Sequence, residues 1–249
     1  MSQSLPQQLS DNTLDAIVSH FALQEVAGKA GGPYLPLFSQ LPMVQGQVGA
    51  VRVFRAGTQS PATLTQVVTC SIVVPAMQLD SHMIFAFTDS QSAIPHFTLD
   101  SVKAGEHYSF HLDLIPRVDL AEHTAYMTAV FGPLTAIFEQ AEAIKGLSPA
   151  HVSPTQRATM SPWMLVHRAD EAAFSEFTPF VQQYLEYWQQ LIANGVTSPV
   201  SPERLQARDK ANRAAIFSPQ VDPVWHRIDG LIGEASGQQL RALLQGNIL

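Results

Sequence analysis

Alternation of apolar and polar positions is clearest between Ile94 and Leu120, IPHFTLDSVKAGEHYSFHLDLIPRVDL. Pro95, Phe97 and Leu99 alternate with His96, Thr98 and Asp100; Tyr108, Phe110, Leu112 and Leu114 alternate with His107, Ser109, His111 and Asp113. A period of two predicts two strands, each with one apolar face. Lys103 to Glu106 is the turn between them, with Gly105 free to take positive φ. Upstream, Val48–Phe54, Leu64–Val74 and Met83–Phe87, the last with His82 at its start, are rich in Val, Thr, Ile and Phe and also read as strands. Pro75 ends the second of these. Five consecutive strands without intervening helices predict an antiparallel sheet, not βαβ units.

Helical spacing appears on both sides of this block. Leu14, Ile17, Val18, Phe21, Ala22 and Val26 predict a helix from Leu14 to Ala27, capped by Asn12 or Thr13, followed by a loop over residues 28–36. Asp119 and Glu122 form a D-x-x-E capping box opening a helix that runs towards Gly132-Pro133, resumes through Leu134, Ile137, Phe138 and Ala141, and ends near Gly146. Residues 149–160 read as loop, and Ser161 to Arg168 leads into a short strand. Phe177, Val181, Tyr184, Leu185, Trp188 and Leu191 mark a strong helix over 174–193, stopped by Asn194-Gly195. Ser201-Pro202 starts another, running to Phe217, and Val224 to Leu244 holds two shorter helical pieces. With no repeat and no linker, the expectation is one domain over residues 1–249.

Composition narrows the function. The 249 residues are 46% hydrophobic and only 14% charged, which leaves room for a large core and an apolar pocket. A net charge of −7 argues against a general nucleic-acid role, since phosphate binding needs a basic surface. No apolar run reaches membrane-span length, and the start of the chain is neither basic nor apolar, so a cytoplasmic location is expected. Cys70 is the only cysteine, which excludes an internal disulfide and a cluster held by four thiolates of this chain. Neither G-x-G-x-x-G nor G-x-x-x-x-G-K-[ST] occurs, so no nucleotide loop is visible. The nine histidines form no close ligand pair, and His107 and His111 share a strand face without converging on one metal.

Two features carry candidate chemistry. The polar face of the hairpin holds His and Asp, the residue types of proton transfer, where a solvated face would favour Lys, Glu and Thr; the plainer reading is a hairpin with one wet face. In the helix from Ser201, Leu205, Asp209, Asn212 and Ile216 fall at i, i+4, i+7 and i+11, which places Asp209 in an inward stripe. A buried carboxylate is costly unless paired or protonated, and Arg208, Lys210 or Arg213 would be the nearest ion-pair partners.

PHFTLD, LDLIPRVDLAEH, SPW with a downstream arginine, and RDKANRA, in that order between about Met77 and Phe217, resemble the red chlorophyll catabolite reductases and the related ferredoxin-dependent bilin reductases. The resemblance implies a three-layer α/β/α sandwich with a central antiparallel sheet flanked by helices. An open-chain tetrapyrrole, of biliverdin or red chlorophyll catabolite type, would lie between the sheet and the C-terminal helices. Electrons would come singly from reduced ferredoxin, with no bound metal or flavin. By the resemblance Asp100 is the proton donor, Asp209 the helix aspartate of the family, and His82 the neighbouring-strand histidine, at a spacing to Asp100 one residue longer than in the bilin reductases. Asp at position 100 follows the bilin branch, whereas DLIPRVDLAEH is closer to the chlorophyll-catabolite branch. His96, His111 and Trp163 become candidates for the pigment pocket. Arg117 and Arg168 are candidates for its propionates, which need cations. Arg204, Arg208, Lys210, Arg213 and Arg227 would form a basic patch for an acidic ferredoxin. A non-catalytic tetrapyrrole-binding or carrier protein is the competing reading, and a histidine-based metal protein a third.

Overall fold

The computed structural model describes residues 3–57 and 64–247. The strands among them are β1 (Leu23–Glu25), β2 (Leu35–Phe38), β3 (Gln47–Ala56), β4 (Leu64–Val74), β5 (Leu79–Thr88), β6 (His96–Ala104), β7 (His107–Ile115), β8 (Leu147–Pro149) and β9 (Leu165–Ala169). They form one sheet in the order β1-β3-β4-β5-β6-β7-β9-β8, with β2 also paired to β3. Every pairing is antiparallel. The five strands expected from the alternation are the continuous β3–β7 meander. Gly105 takes φ +61° in the β6–β7 turn, a conformation that a side chain would strain.

Helices cover both faces, as in an α/β sandwich. On one side α1 (Leu5–His20), α2 (Thr124–Val130), α3 (Thr135–Glu142) and α5 (Glu171–Asn194) pack onto Ile84, Ala86, Phe97, Leu99, Phe110, Leu112, Leu114 and Leu165. On the other, α7 (Val224–Ile232) and α8 (Glu234–Leu244) pack onto Val51, Val53, Val68, Cys70, Ile72, Met83, Phe85 and Phe87. Strands β4 and β5 are therefore buried on both faces, which is why VVTCSIVV and MIFAF read as continuous apolar runs. Short α4 (Pro154–Arg157) lies in the stretch expected to be loop. Helix α6 (Pro202–Ile216) bridges the two sides: Leu205 joins the first cluster, and Phe217, its C-cap, the second.

This division places the site. The apolar cover of α7 and α8 lies over β3, β4 and β5, while the same face of β6, β7 and β9 presents His96, Thr98, Asp100, His111, Asp113, Val166 and Arg168. The polar half of the hairpin is thus not a solvent face. It lies under α6 and the loop leading to α7.

Several boundaries differ from the periodicity. Helix α1 starts at Leu5, capped by the Ser4 hydroxyl, which accepts from the Gln7 N–H at 3.1 Å; it ends at His20 instead of Ala27. Beyond it Ala22 turns at φ +49° and residues 23–25 pair with β3. The ladder bonds offered by β3 outweigh the helical spacing of Ala22 and Val26. Asp119 Oδ1 accepts from the N–H groups of Ala121 and Glu122, but this is a turn, and α2 begins only at Thr124.

Candidate active site

Two polar centres share the half of this sheet face that α7 and α8 do not cover. The first is built on the β6–β7 register. Asp100 pairs with His111 across the ladder, so their side chains leave the same face side by side. His111 Nδ1 lies 3.6 Å from Asp100 Oδ2, an ion-pair distance and longer than a hydrogen bond. The other polar atoms, Asp100 Oδ1 and His111 Nε2, are buried without a partner, as is Oγ1 of Thr98, two residues along the strand. Three orphaned polar atoms on one face of two paired strands are unusual, because buried polar groups in folded proteins are nearly always bonded. Burial pulls the His111 imidazole down, but Asp100, Asp113 and Asp222 outweigh it and hold the ring above its ordinary range.

Asp113 and Asp222 complete the first centre, and neither was singled out by the sequence. Asp113 is fully buried; its two oxygens accept from Ser161 Oγ at 2.5 Å and Ser161 N at 2.9 Å, which ties the SPW turn to β7. Asp222 sits on the loop between α6 and α7, within electrostatic reach of both Asp100 and His111, and burial raises it above the usual carboxylate range. A cavity of about 390 Å³ lies between α3, α4 and β9, with Phe138, Glu142 and His167 on its α3 side, and it reaches this centre through Ser161 and Val166. Its lining includes Arg157, Met160, Ser161, Met164 and Val166, the last being the ladder neighbour of His111. Pockets for small ligands fall in this size range.

The second centre lies at the start of β6. His96 Nδ1 accepts from the Thr88 N–H at 3.0 Å, so a neutral ring carries its proton on Nε2, which donates to Asp209 Oδ1 at 2.7 Å. Arg117 donates through Nη1 to the same Asp209 oxygen at 2.7 Å and through Nη2 to the Ser90 carbonyl at 2.9 Å, and it also contacts His96 Nε2. Arg213 approaches Asp209 Oδ2 at 3.8 Å, donates to the Leu244 carbonyl and lies 3.9 Å over the Phe87 ring. Burial pushes His96 down to about 3, so the ring is neutral at ordinary pH. Burial raises the Asp209 carboxyl, but His96, Arg117 and Arg213 outweigh it and leave it below the usual range. Thr98 and Asp100 follow His96 on the same face, so Asp100 lies about 13 Å along the strand from His96.

The expected site residues sort clearly against this geometry. Asp100 and His111 come together. Asp209 is buried as its helix position predicted, with the expected Arg213 of its own helix 3.8 Å from one oxygen and with Arg117 and His96 on the other; the buried stripe is Leu205, Asp209 and Arg213. In this arrangement Asp209 accepts from His96 and Arg117. His96 and Arg117 belong to the Asp209 network, so Arg117 is not a free cation for a propionate. Arg168 is exposed on the site face opposite Ser109 and remains available.

His82 lies elsewhere. It pairs with Ser101, whose hydroxyl donates to the Pro6 carbonyl of α1, and its ring nitrogens engage Ser71 Oγ at 3.0 Å and Asp80 Oδ1 at 2.6 Å. That is the opposite face of the sheet from Asp100, whose ladder neighbour is Met83; the one-residue excess in spacing is a change of face. Trp163 is also turned away. Its ring stacks on Phe131 and its Nε1 donates to Thr135 Oγ1 on the α2–α3 side. In the expected basic patch Arg204, Lys210 and Arg227 are exposed and Arg208 half-buried, whereas Arg213 is buried.

No protein-family model and no curated protein sequence matches the chain. Among solved structures it is similar to phytochromobilin synthase from tomato, crystallised in complex with biliverdin. The TM-score is 0.72 over 96% of this chain and 82% of that one, at 16% sequence identity. The chain has the fold of that synthase. The expected α/β/α sandwich is therefore the observed architecture, reached by a sequence that retains about one residue in six.

Proposed function

We propose that this protein reduces a double bond of a linear tetrapyrrole, of biliverdin or red chlorophyll catabolite type, taking electrons one at a time from reduced ferredoxin and protons from the Asp100 centre. The observation that carries the reading is the row of orphaned polar atoms, Thr98 Oγ1, Asp100 Oδ1 and His111 Nε2. They line the half of this sheet face that α7 and α8 leave uncovered, in a fold shared with a synthase crystallised with biliverdin. A flat conjugated pigment with pyrrole N–H groups and lactam oxygens supplies the missing partners.

The chemistry follows from the charges. Each added electron makes the conjugated system more basic, and an acid beside it must protonate a carbon or nitrogen. Asp100 is placed for that step. The Asp209–Arg117–His96 network closes the far end of the face as a fixed polar wall. Arg168 at the rim is the remaining cation for a propionate. The exposed Arg204, Lys210 and Arg227 offer the local positive charge that docking of an acidic ferredoxin needs on a chain of net charge −7. Ferredoxin is the external electron donor, and no residue of the site is asked to hold a redox group.

The test is anaerobic incubation of the protein with biliverdin or red chlorophyll catabolite and a reduced ferredoxin system. A one-to-one shift of the pigment's visible spectrum on binding is expected first, then its replacement by the spectrum of a shorter conjugated system. NADPH alone is expected to give no turnover. Binding without reduction by any one-electron donor would make the protein a carrier; no spectral change at micromolar protein would remove tetrapyrroles altogether.

A further inference from the structure

We infer that His111 is the proton reservoir of this site: its imidazolium reloads Asp100 after Asp100 has given a proton to the reduced ligand. The inference rests on the tetrapyrrole reading and adds a residue and a step to it. A two-electron reduction of one double bond consumes two protons, and one Asp100 carboxyl carries one. Asp209, the other acid expected at the site, is occupied by Arg117 and His96 and faces the far end of the sheet. The second proton therefore has to be stored nearer Asp100.

His111 meets the geometric requirements. It is the cross-strand neighbour of Asp100 on the same face, with Nδ1 3.6 Å from Oδ2. A small rotation of either side chain closes that gap to a hydrogen bond. Its Nε2 is buried and unpartnered. The charged and titratable groups around it come from every neighbouring element: Asp100 on β6, Asp113 on its own strand β7, and Asp222 on the loop after α6. Cys70 on β4 is also in the field of Asp100, and burial pushes that thiol up to about 12, so it stays neutral and donates nothing. Arg168 on β9 is one register step away, opposite Ser109. The carboxylates outnumber the nearby cation, which favours the charged ring.

The step balances. Pigment binding desolvates Asp100, which takes up a proton from solvent; the pigment then takes one electron from a reduced iron–sulfur donor, the Asp100 O–H bond breaks and a bond from hydrogen to the pigment forms. The His111 Nδ1 proton then passes to the Asp100 carboxylate. The second electron arrives, Asp100 delivers the second proton, and the site is left with neutral His111 and ionised Asp100, both reloaded from solvent. His111 is the relay residue here; Asp100 is the group that hands each proton to the ligand.

Two measurements test this. In the unliganded protein, imidazole NMR should show His111 titrating above the ordinary histidine value, and Asp100→Asn should lower its proton affinity by about tenfold or more, a full pKa unit. In single turnovers at saturating biliverdin, His111→Gln should complete the first protonation. It should then stall by about 100- to 10,000-fold at the second, with a long-lived radical in the EPR spectrum and a flat pH profile. His111→Ala should regain the second step on addition of imidazole. A His111 titration below the ordinary value, or one unmoved by Asp100→Asn, overturns the inference. So does His111→Gln that completes turnover at the wild-type rate and pH profile. Failure of the wild-type protein itself to reduce any tetrapyrrole removes the function reading, and with it this step; loss confined to the His111 comparisons removes only this step.

Discussion

Asp100 and Asp209 are both carboxylates on the expected list, and their surroundings give them different work. Asp100 has one oxygen without a partner and an imidazole beside the other. Asp209 has both oxygens facing cations or N–H donors. Replacing Asp100 by Asn keeps size and polarity and removes the acid. Pigment binding is expected to persist and reduction to fall by about 100- to 10,000-fold, measured as single-turnover absorbance; a loss below about tenfold in folded protein would remove Asp100 as the acid. Replacing Asp209 by Asn leaves the Arg117 guanidinium buried without its counter-charge. That is expected to destabilise the fold by about 3–5 kcal/mol, read from urea unfolding. Pairing it with Arg117→Gln should recover part of the loss, because the two residues share one interaction. If Asp209→Asn unfolds at the wild-type midpoint, the buried network carries no weight. The sequence pointed to Asp209 because a charge stood in a helix stripe and to Arg213 as a neighbour on that helix, but its hydrogen-bond partners Arg117 and His96 are 92 and 113 residues away, distances no local pattern spans. Asp222 had no signal at all, being one acid in a turn.

Among the elements, those with strong period were legible: the β6–β7 hairpin, α5 and α6 lie within a few residues of their expected bounds. The short ones were not. Strands β1, β2 and β8 have 3 or 4 residues each, too few for an alternation to register, and they exist because a neighbouring strand offers unpaired N–H and C=O groups. Strand β3 shows what that pairing demands. It is bonded on both sides, to β4 and to β1 and β2, and at Gly49 a Cβ would stand 1.9 Å from the Ser71 carbonyl oxygen. Gly49→Ala must therefore push β3 and β4 apart. A loss of about 1–3 kcal/mol is expected, seen as a lower midpoint in denaturant; an unchanged midpoint would mean the strands have slack that the close approach denies. The same pairing logic moved His82: a one-residue offset along β5 carries a side chain through the sheet, so a histidine adjacent in sequence to the site-facing Met83 serves the α1 side.

Over the whole molecule, stability against pH has two opposing parts. His96 is held neutral, pushed down to about 3, so its contribution is complete above the unfolded value near 6.5 and is lost as pH falls towards 3. Asp209, also depressed, adds to the loss in the acid range. His111 is raised, so its contribution is present below the unfolded value and is lost as pH rises through the folded one. The comparison that isolates the first part is His96→Gln, whose amide can still accept from Thr88 and donate to Asp209. Relative to that variant, wild type is expected to lose up to about 1.4 kcal/mol per pH unit between pH 6.5 and 4, measured by urea unfolding at each pH. A difference that stays constant over this range would mean that His96 is not held neutral.

By itself the sequence determined the class of the fold and put Asp100 and His111 on the polar face of one hairpin. Period-two strands in succession require an antiparallel sheet, period-3.6 segments around them require helices on its faces, and both follow from side-chain geometry within a few residues. The pairing of Asp100 with His111 was already implicit in a hairpin whose turn sets the register. What only the tertiary structure decided is which polar face is covered by what. Helices α7 and α8 dry one half of the second sheet face and leave the other for charges. Arg117 and His96 reach Asp209 from a strand and a loop far away in the chain, and Asp222 closes over the hairpin. These depend on long-range packing, where the free energy of burying or pairing a group is set by neighbours that the local sequence does not contain.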